Sequence, residues 1–313
     1  MNFQAHEDLH QFQSAIDHLA ARYRQAWQAS DHRFAHAPEL EAQLQEGGFF
    51  SALHEATLGP VAAVCMVQTL AQLPVCAEVA ASAMLGPLIG AEHNGPIAVI
   101  IGPLGRPARF LPTARTVLHM TPQSASVTSV AVAQVSAIDS LFAYPMGHLR
   151  SGVALPWQPL EPERVARLKL MWQLAVAAEL VGCMQAALAS VLDHVKQRQQ
   201  FGRPIGSFQA VQHRLAEASC ATEAAHWLTL KAADTGQAID AATALGYAQQ
   251  QSGRITYDLH QFMGAMGLTL EHPLHRWTYR IKLLRSELGG ASRQFQESAA
   301  LAWPQAETAS MLG

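Results

Sequence analysis

The sequence predicts an α+β fold, mostly α, with N-terminal helices, a small middle β-domain and a C-terminal antiparallel helical bundle. Three observations carry this reading. Apolar residues recur at three and four near the N-terminus. Gly and Pro then crowd the stretch from about 94 to 156, where short β-rich runs replace the helical period. Beyond Pro156-Trp157-Gln158-Pro159 the helical period returns and holds almost to the end. The three parts are assigned to residues 1–92, 93–156 and 157–313.

Taken in order, Leu9, Phe12, Ile16, Leu19, Tyr23 and Trp27 predict a helix over 5–28. A short helix over 38–46 ends at Gly47-Gly48, and helices over 60–73 and 75–85 are split by Pro74, which lacks an amide hydrogen. Runs at Ile97–Ile101, Thr116–Met120 and Ser126–Val135 predict strands of a small antiparallel sheet or barrel-like module, the last with Val127, Ala131, Ala133 and Val135 on one face. In the final part Leu170, Leu174, Ala177, Val181, Met184, Leu188, Val191 and Val195 alternate steps of four and three. That heptad-like seam predicts one helix from about 161 to 199, packed along its whole length. A second helix follows Ser207 as N-cap, a third covers 238–263 up to Gly264, a fourth 273–287, and a last one 291–301.

Composition narrows the function. Half of the 313 residues are hydrophobic, 14% are charged and the net charge is -3, so the chain has ample core and no basic footprint for nucleic acid. Cys65, Cys76, Cys183 and Cys220 lie in apolar surroundings with no C-x-x-C pair, which suits reduced, buried thiols in a cytoplasmic protein. The N-terminal stretch is too polar for a signal peptide, and the apolar runs are interrupted before they could span a bilayer. The fifteen histidines are scattered, and His272 and His275 flank a proline turn, so no metal site is expected.

The richest stretch is Arg198-Gln-Gln-Phe-Gly-Arg-Pro-Ile-Gly-Ser-Phe-Gln209, where one long helix ends and another begins. A cation beside a glycine turn at a helix junction suits a phosphate group; the same residues also make an ordinary corner with solvated charge. R-x-x-F-G-x-x-x-x-x-F-Q before a long helix resembles the signature of the acyl-CoA dehydrogenase C-terminal domain. Gln261-Phe-Met-Gly-Ala-Met-Gly267 resembles that family's Q-x-x-G-G-x-G turn, and Glu271-His-Pro-Leu-His-Arg276 its E-x-P-x-x-R. The likeness covers about 161–290.

The resemblance implies a three-part fold around FAD, with a glutamate that removes the α-proton of an acyl-CoA while hydride leaves the β-carbon for the flavin. It implies that Arg198 reaches the FAD diphosphate and that Phe201 lies beside the adenosine part. Phe208 and Gln209 would lie near the adenine. Gln261 and Gly264 fall where the family's chain runs close to the cofactor. In the family these contacts serve the flavin of a neighbouring subunit.

The departures are as informative. An ungapped count puts the family's glutamate at Leu288, and its alternative base, on the first bundle helix, at Trp172. Glu287 is one position early, about 100° around a helix. Glu179 interrupts an apolar stretch and is expected to be a solvated position one step off the seam. Neither the T-E-P-x-x-G-S-D nor the W-I-T-N stretch, which hold the flavin ring in the family, is present, and Ala265 replaces a glycine. Base and flavin loops are lost together. This pattern resembles the shortened, non-catalytic subunit of heteromeric, steroid side-chain type acyl-CoA dehydrogenases. It implies a hetero-oligomer with a full-length acyl-CoA dehydrogenase chain, FAD shared at the interface, and no nucleic-acid or membrane partner. The alternatives are a homo-oligomeric enzyme using Glu287 or Glu179 as a displaced base, and a flavin-free helical interaction module.

Overall fold

The computed structural model describes residues 7–26, 32–90 and 95–303. Its first helices are α1 (Glu7–Ala21), α2 (Pro38–Glu46), α3 (Gly59–Ala71), α4 (Ala80–Met84) and α5 (Gly86–Ile89). Pro38 opens α2, where a missing amide hydrogen costs nothing, and the chain leaves through Gly48 at φ 71°. The helix expected over 75–85 survives only as α4. The end of the helix expected over 5–28, including Trp27, lies outside the described residues.

The middle segment departs from the expected antiparallel module. Strands β1 (Ile97–Ile101), β2 (Ala108–Arg109), β3 (Thr116–Met120), β4 (Ala125–Ser129), β5 (Val135–Ile138), β6 (Met146–Leu149) and β7 (Gln158–Pro159) form two sheets, ordered β1-β3-β4-β7 and β2-β6-β5. β1 and β3 run parallel, Ile97 opposite Thr116 and Ile101 opposite Met120. A parallel pair needs a crossover, and residues 102–115 supply it, carrying β2 into the second sheet. The run expected as one strand over 126–135 breaks into a 3-10 turn at Val132–Gln134, with Val132 exposed. Glu78 ties helix to sheet. Its carboxylate accepts hydrogen bonds from Ala81 N at 2.8 Å and Ile97 N at 3.1 Å, and burial pushes its pKa up to about 7.

The last part is a bundle of α6 (Pro162–Gln197), α7 (Gln209–Thr235), α8 (Ala238–Met263), α9 (Leu274–Leu284) and α10 (Gly290–Ala302). A two-stranded hairpin, β8 (Gln199–Gln200) and β9 (Arg203–Pro204), separates α6 from α7. Ser207 does not cap α7. Its hydroxyl donates back to Pro204 O at 2.7 Å, and Phe208 occupies the cap position. All eight seam residues of α6 are buried, but so is most of its middle, because α3, α7, α8 and α9 surround it. By length and composition alone α6 could cross a membrane, contrary to the reading of interrupted runs; 83% of its most apolar window is buried within the protein. One core runs continuously from α1 through α3 and β3–β4 into the bundle. Cys65, Cys76 and Cys183 are buried, whereas Cys220 on α7 is exposed, against expectation.

Helices α3 and α6 approach closely at Gly182, where an added Cβ would lie 2.2 Å from Gln68 O of α3. Gly182→Ala should therefore force α3 and α6 apart and cost about 1–3 kcal/mol, read as a lowered midpoint in urea unfolding.

Candidate functional site

The crossover that sets the sheet topology delivers Arg109 into the protein interior. Strand β2 pairs with β6, and the chain reverses after it at Phe110, whose φ is 61°. Phe110 is buried edge-on to Tyr144, ring centroids 5.4 Å apart, and its amide donates to Pro145 O at 2.7 Å. This leaves the Arg109 guanidinium 6% exposed, facing helix α6. Its Nη1 donates to Glu179 Oε2 at 2.6 Å and its Nε to Glu287 Oε1 at 2.9 Å. The second Glu179 oxygen accepts the Tyr144 hydroxyl at 2.7 Å. The guanidinium carbon lies 5.2 Å from the Tyr144 ring centroid and 5.1 Å from that of Trp172, within cation–π range.

The structure thus joins three positions singled out separately in the sequence: Glu179, Glu287 and Trp172. Glu179 is not the solvated position expected of it but 7% exposed. Glu287 does not sit on a continuing helix. α9 ends at Leu284, a 3-10 turn covers Glu287–Gly289, and Leu288 takes φ 53°. The 100° argument fails because the helix stops first. Gln249 Nε2 holds this turn by donating to Leu284 O at 3.0 Å and Glu287 O at 2.9 Å. Gln294 donates to Leu288 O and accepts from Gln173, both at 2.8 Å. Leu288 is left packed against the core.

Electrostatics follow from this packing. Burial pushes the Glu287 carboxyl up, Arg109 pulls it partly back, and the Glu179 charge adds to the upward push. Burial opposes the Arg109 charge, but Glu179 and then Glu287 more than offset it, so its proton is held more firmly than usual. Burial and Glu179 raise the Tyr144 hydroxyl well above its ordinary value. A general base must be free to accept a proton in hydrogen-bond reach of substrate; both carboxylates here are bound to a cation.

The residues matched to cofactor contacts lie elsewhere. In the hairpin Phe201 and Gly202 take φ 54° and 77°, the consecutive positive values of a type I′ turn. Phenylalanine is strained there, yet its ring is 90% exposed, which removes a core role. Phe208 packs edge-on to it at 6.1 Å, and the Arg203 guanidinium lies 4.1 Å over the Phe208 ring. Arg198 and Gln209 flank the hairpin and are exposed; Gln261, in the last turn of α8, is exposed too. Gly264 takes φ 64° and ψ -145°, open only to glycine, and an added Cβ there would meet nothing within 4 Å. Exposed donors, a bare aromatic face and uncovered glycine backbone fit the anionic and planar parts of FAD. Among the described residues no hydrogen bond joins the hairpin to the Gln261–Gly264 turn.

Sequence reasoning missed Arg109, Tyr144, Gln249 and Gln294. One signal was available: Glu179 in an apolar helix demands a buried cation. Nothing in the sequence said which arginine supplies it.

Residues 165–297 match the family model described as acyl-CoA dehydrogenase, C-terminal domain. The chain is 37% identical over 109 residues to the short-chain specific acyl-CoA dehydrogenase of Megasphaera elsdenii, covering 33% of this chain and 28% of that protein. It is 34% identical over 107 residues to acyl-CoA dehydrogenase IpdE2 of Mycobacterium tuberculosis, 34% of either chain. These matched stretches span about a third or less of the relatives' own lengths. In fold the chain is similar to a chain of the ChsE4–ChsE5 complex of Mycobacterium tuberculosis, with a TM-score of 0.77 and 20% identity over 96% of this chain and 99% of that one. A chain of the Tcur3481–Tcur3483 steroid acyl-CoA dehydrogenase gives 0.78 and 20% over 95% and 98%.

Replacing Arg109 by Met should leave two buried carboxylates without their cation, at a cost of about 3–5 kcal/mol near neutral pH. Burial, no longer opposed by Arg109, would then hold the Glu287 carboxyl further above its unfolded value of about 4.3. The penalty should therefore be absent below that pH and grow as pH rises through the folded value. Urea unfolding of the variant and the parent from pH 5 to 8 reads this difference.

Proposed function

We propose that this chain, whose residues 165–297 match the acyl-CoA dehydrogenase C-terminal domain, is the non-catalytic subunit of a heteromeric, FAD-dependent acyl-CoA dehydrogenase. The observation that carries this reading is the Arg109 cluster. Leu288 and Trp172 stand where the family's bases fall, and the two nearest carboxylates, Glu179 and Glu287, are committed to Arg109. On this reading a full-length partner chain supplies the proton-abstracting glutamate, and this chain supplies contacts to the partner's cofactor.

FAD, when bound, supplies the hydride acceptor for α,β-desaturation of an acyl-CoA. Arg198 would offer its fork of N–H donors to the diphosphate. Phe201 and Phe208 would give the adenosine end an aromatic surface, with the amides of Gln209 and Gln261 at its edges. Gly264 lets the backbone approach without a side chain in the way. Two structural relatives are heteromeric by name, which supports a mixed complex; one of them is named a steroid enzyme, which supports a bulky acyl-CoA such as a steroid side-chain ester.

A homo-oligomeric enzyme using Glu287 is the second reading, favoured by the upward push that burial exerts on that carboxyl. Visible flavin absorbance separates the two. The proposal expects yellow colour only when the chain is co-produced with a full-length partner, at about one FAD per pair of chains. A yellow homo-oligomer that bleaches with an acyl-CoA overturns it. Arg198→Ala should lower FAD retention by the mixed complex, while Glu287→Gln should lower stability through the lost Arg109 pair but leave the turnover of the folded, flavin-loaded complex nearly unchanged. Loss of turnover with flavin content intact in Glu287→Gln would move the base to this chain.

A further inference from the structure

The His272 ring sits between α6 and the start of α9, and its bonds fix its tautomer. Nδ1 accepts the Leu274 amide hydrogen at 3.2 Å, so the ring proton is on Nε2, which faces Ser190 Oγ of α6 at 3.5 Å. His194, one turn further along α6, meets the ring edge-on with centroids 6.5 Å apart. The His272 carbonyl accepts from His275 Nδ1 at 2.7 Å, and the buried Nε2 of His275 has no partner among the described residues. His260 of α8 pairs with Thr278 of α9 at 3.0 Å. The corner 264–273 is thereby fastened to the first turn of α9, and His272 meets α6 at Ser190 and His194, in the turns that lead into Arg198.

We infer that His272 is a positioning residue whose neutral ring fastens the α8–α9 corner to the first turn of α9, beside α6, and that a proton on this ring releases the corner. A second proton on His272 would place an N–H against the Leu274 N–H, donor against donor, and remove the bond. The charged or titratable groups acting on the cluster are basic: His194 and Arg198 from α6, His260 from α8, and His275, Arg276 and Arg280 from α9. Asp193 and Glu271 are chain neighbours but form no ion pair with the histidines among the described residues. Burial first, then these neighbours, hold His272, His194 and His275 below the ordinary histidine value. With folded values depressed, the unfolded state binds more protons, so the grip is complete above about pH 6.5 and is lost as pH falls below it.

Hydrogen exchange of the peptide 264–273 in the full chain, at about pH 7.5 and about pH 5.5, tests this. After correction for intrinsic rates, protection in the parent should fall severalfold toward acid, the direction set by the depressed His272 value. His272→Asn, whose Oδ1 can accept the Leu274 amide but takes up no proton, should stay protected at both values. His272→Ala should be unprotected at both. Unchanged protection of the parent, or an equal acid loss in His272→Asn, overturns the inference. Its link to the cofactor rests on the proposed roles of Gln261 and Gly264. If exchange behaves as stated while FAD release from the mixed complex ignores pH, the clamp stands and those two assignments fall.

Discussion

The buried ion triad of Glu179, Arg109 and Glu287 is the constraint on which the rest of this architecture depends. It joins a two-residue strand from the sheet segment, the middle of the central helix and the turn after α9. None of the three charges is stable in this interior alone, since desolvating a single ion costs several kcal/mol. Each segment therefore has to arrive for the others to be tolerated. Tyr144 completes the arrangement by filling the remaining Glu179 oxygen. Removing either carboxylate would leave Arg109 with a poorly satisfied charge, so the triad also specifies how the sheet docks on the bundle.

That stabilising role conflicts with proton abstraction. A carboxylate that takes a proton from carbon must approach its substrate without a prior cation in its grasp. The same pairing that makes Glu287 tolerable in the core makes it a poor base. The glutamine relay from Gln173 through Gln294 to the Leu288 carbonyl holds the turn in place. At the other end of the chain's chemistry the logic reverses. Phe201, Arg198 and Gln261 are exposed and lack the packing that would make them structural.

Much of this was legible in the sequence where local chemistry decides the outcome. The α6 seam follows from apolar spacing, and the ends of α2 and α8 follow from Pro38 and Gly264. The strands Ile97–Ile101 and Thr116–Met120 follow from β-branched runs. What was not legible depends on contacts remote in sequence. Parallel pairing of β1 with β3 cannot be read from alternation, so the crossover that carries Arg109 had no assigned place. Glu179 was misjudged for the same reason: its burial is explained only by an arginine 70 positions away. The early end of α9 is fixed by Gln249, 35 residues upstream of Leu284, which no helix-stop signal reports.

Helix α6 links the two chemically distinct ends of the molecule as a single stiff rod. From Glu179 to Arg198 it rises about 28 Å at 1.5 Å per residue, with no proline inside and its one glycine, Gly182, wedged against α3. A rod without a joint cannot bend away a disturbance; it can only tilt. A tilt of about 5° at the ion triad would carry the hairpin about 2.5 Å sideways, by the same rise per residue. The packing of Gly182 thus acts as a fulcrum, and the precision of the exposed hairpin is set deep in the core.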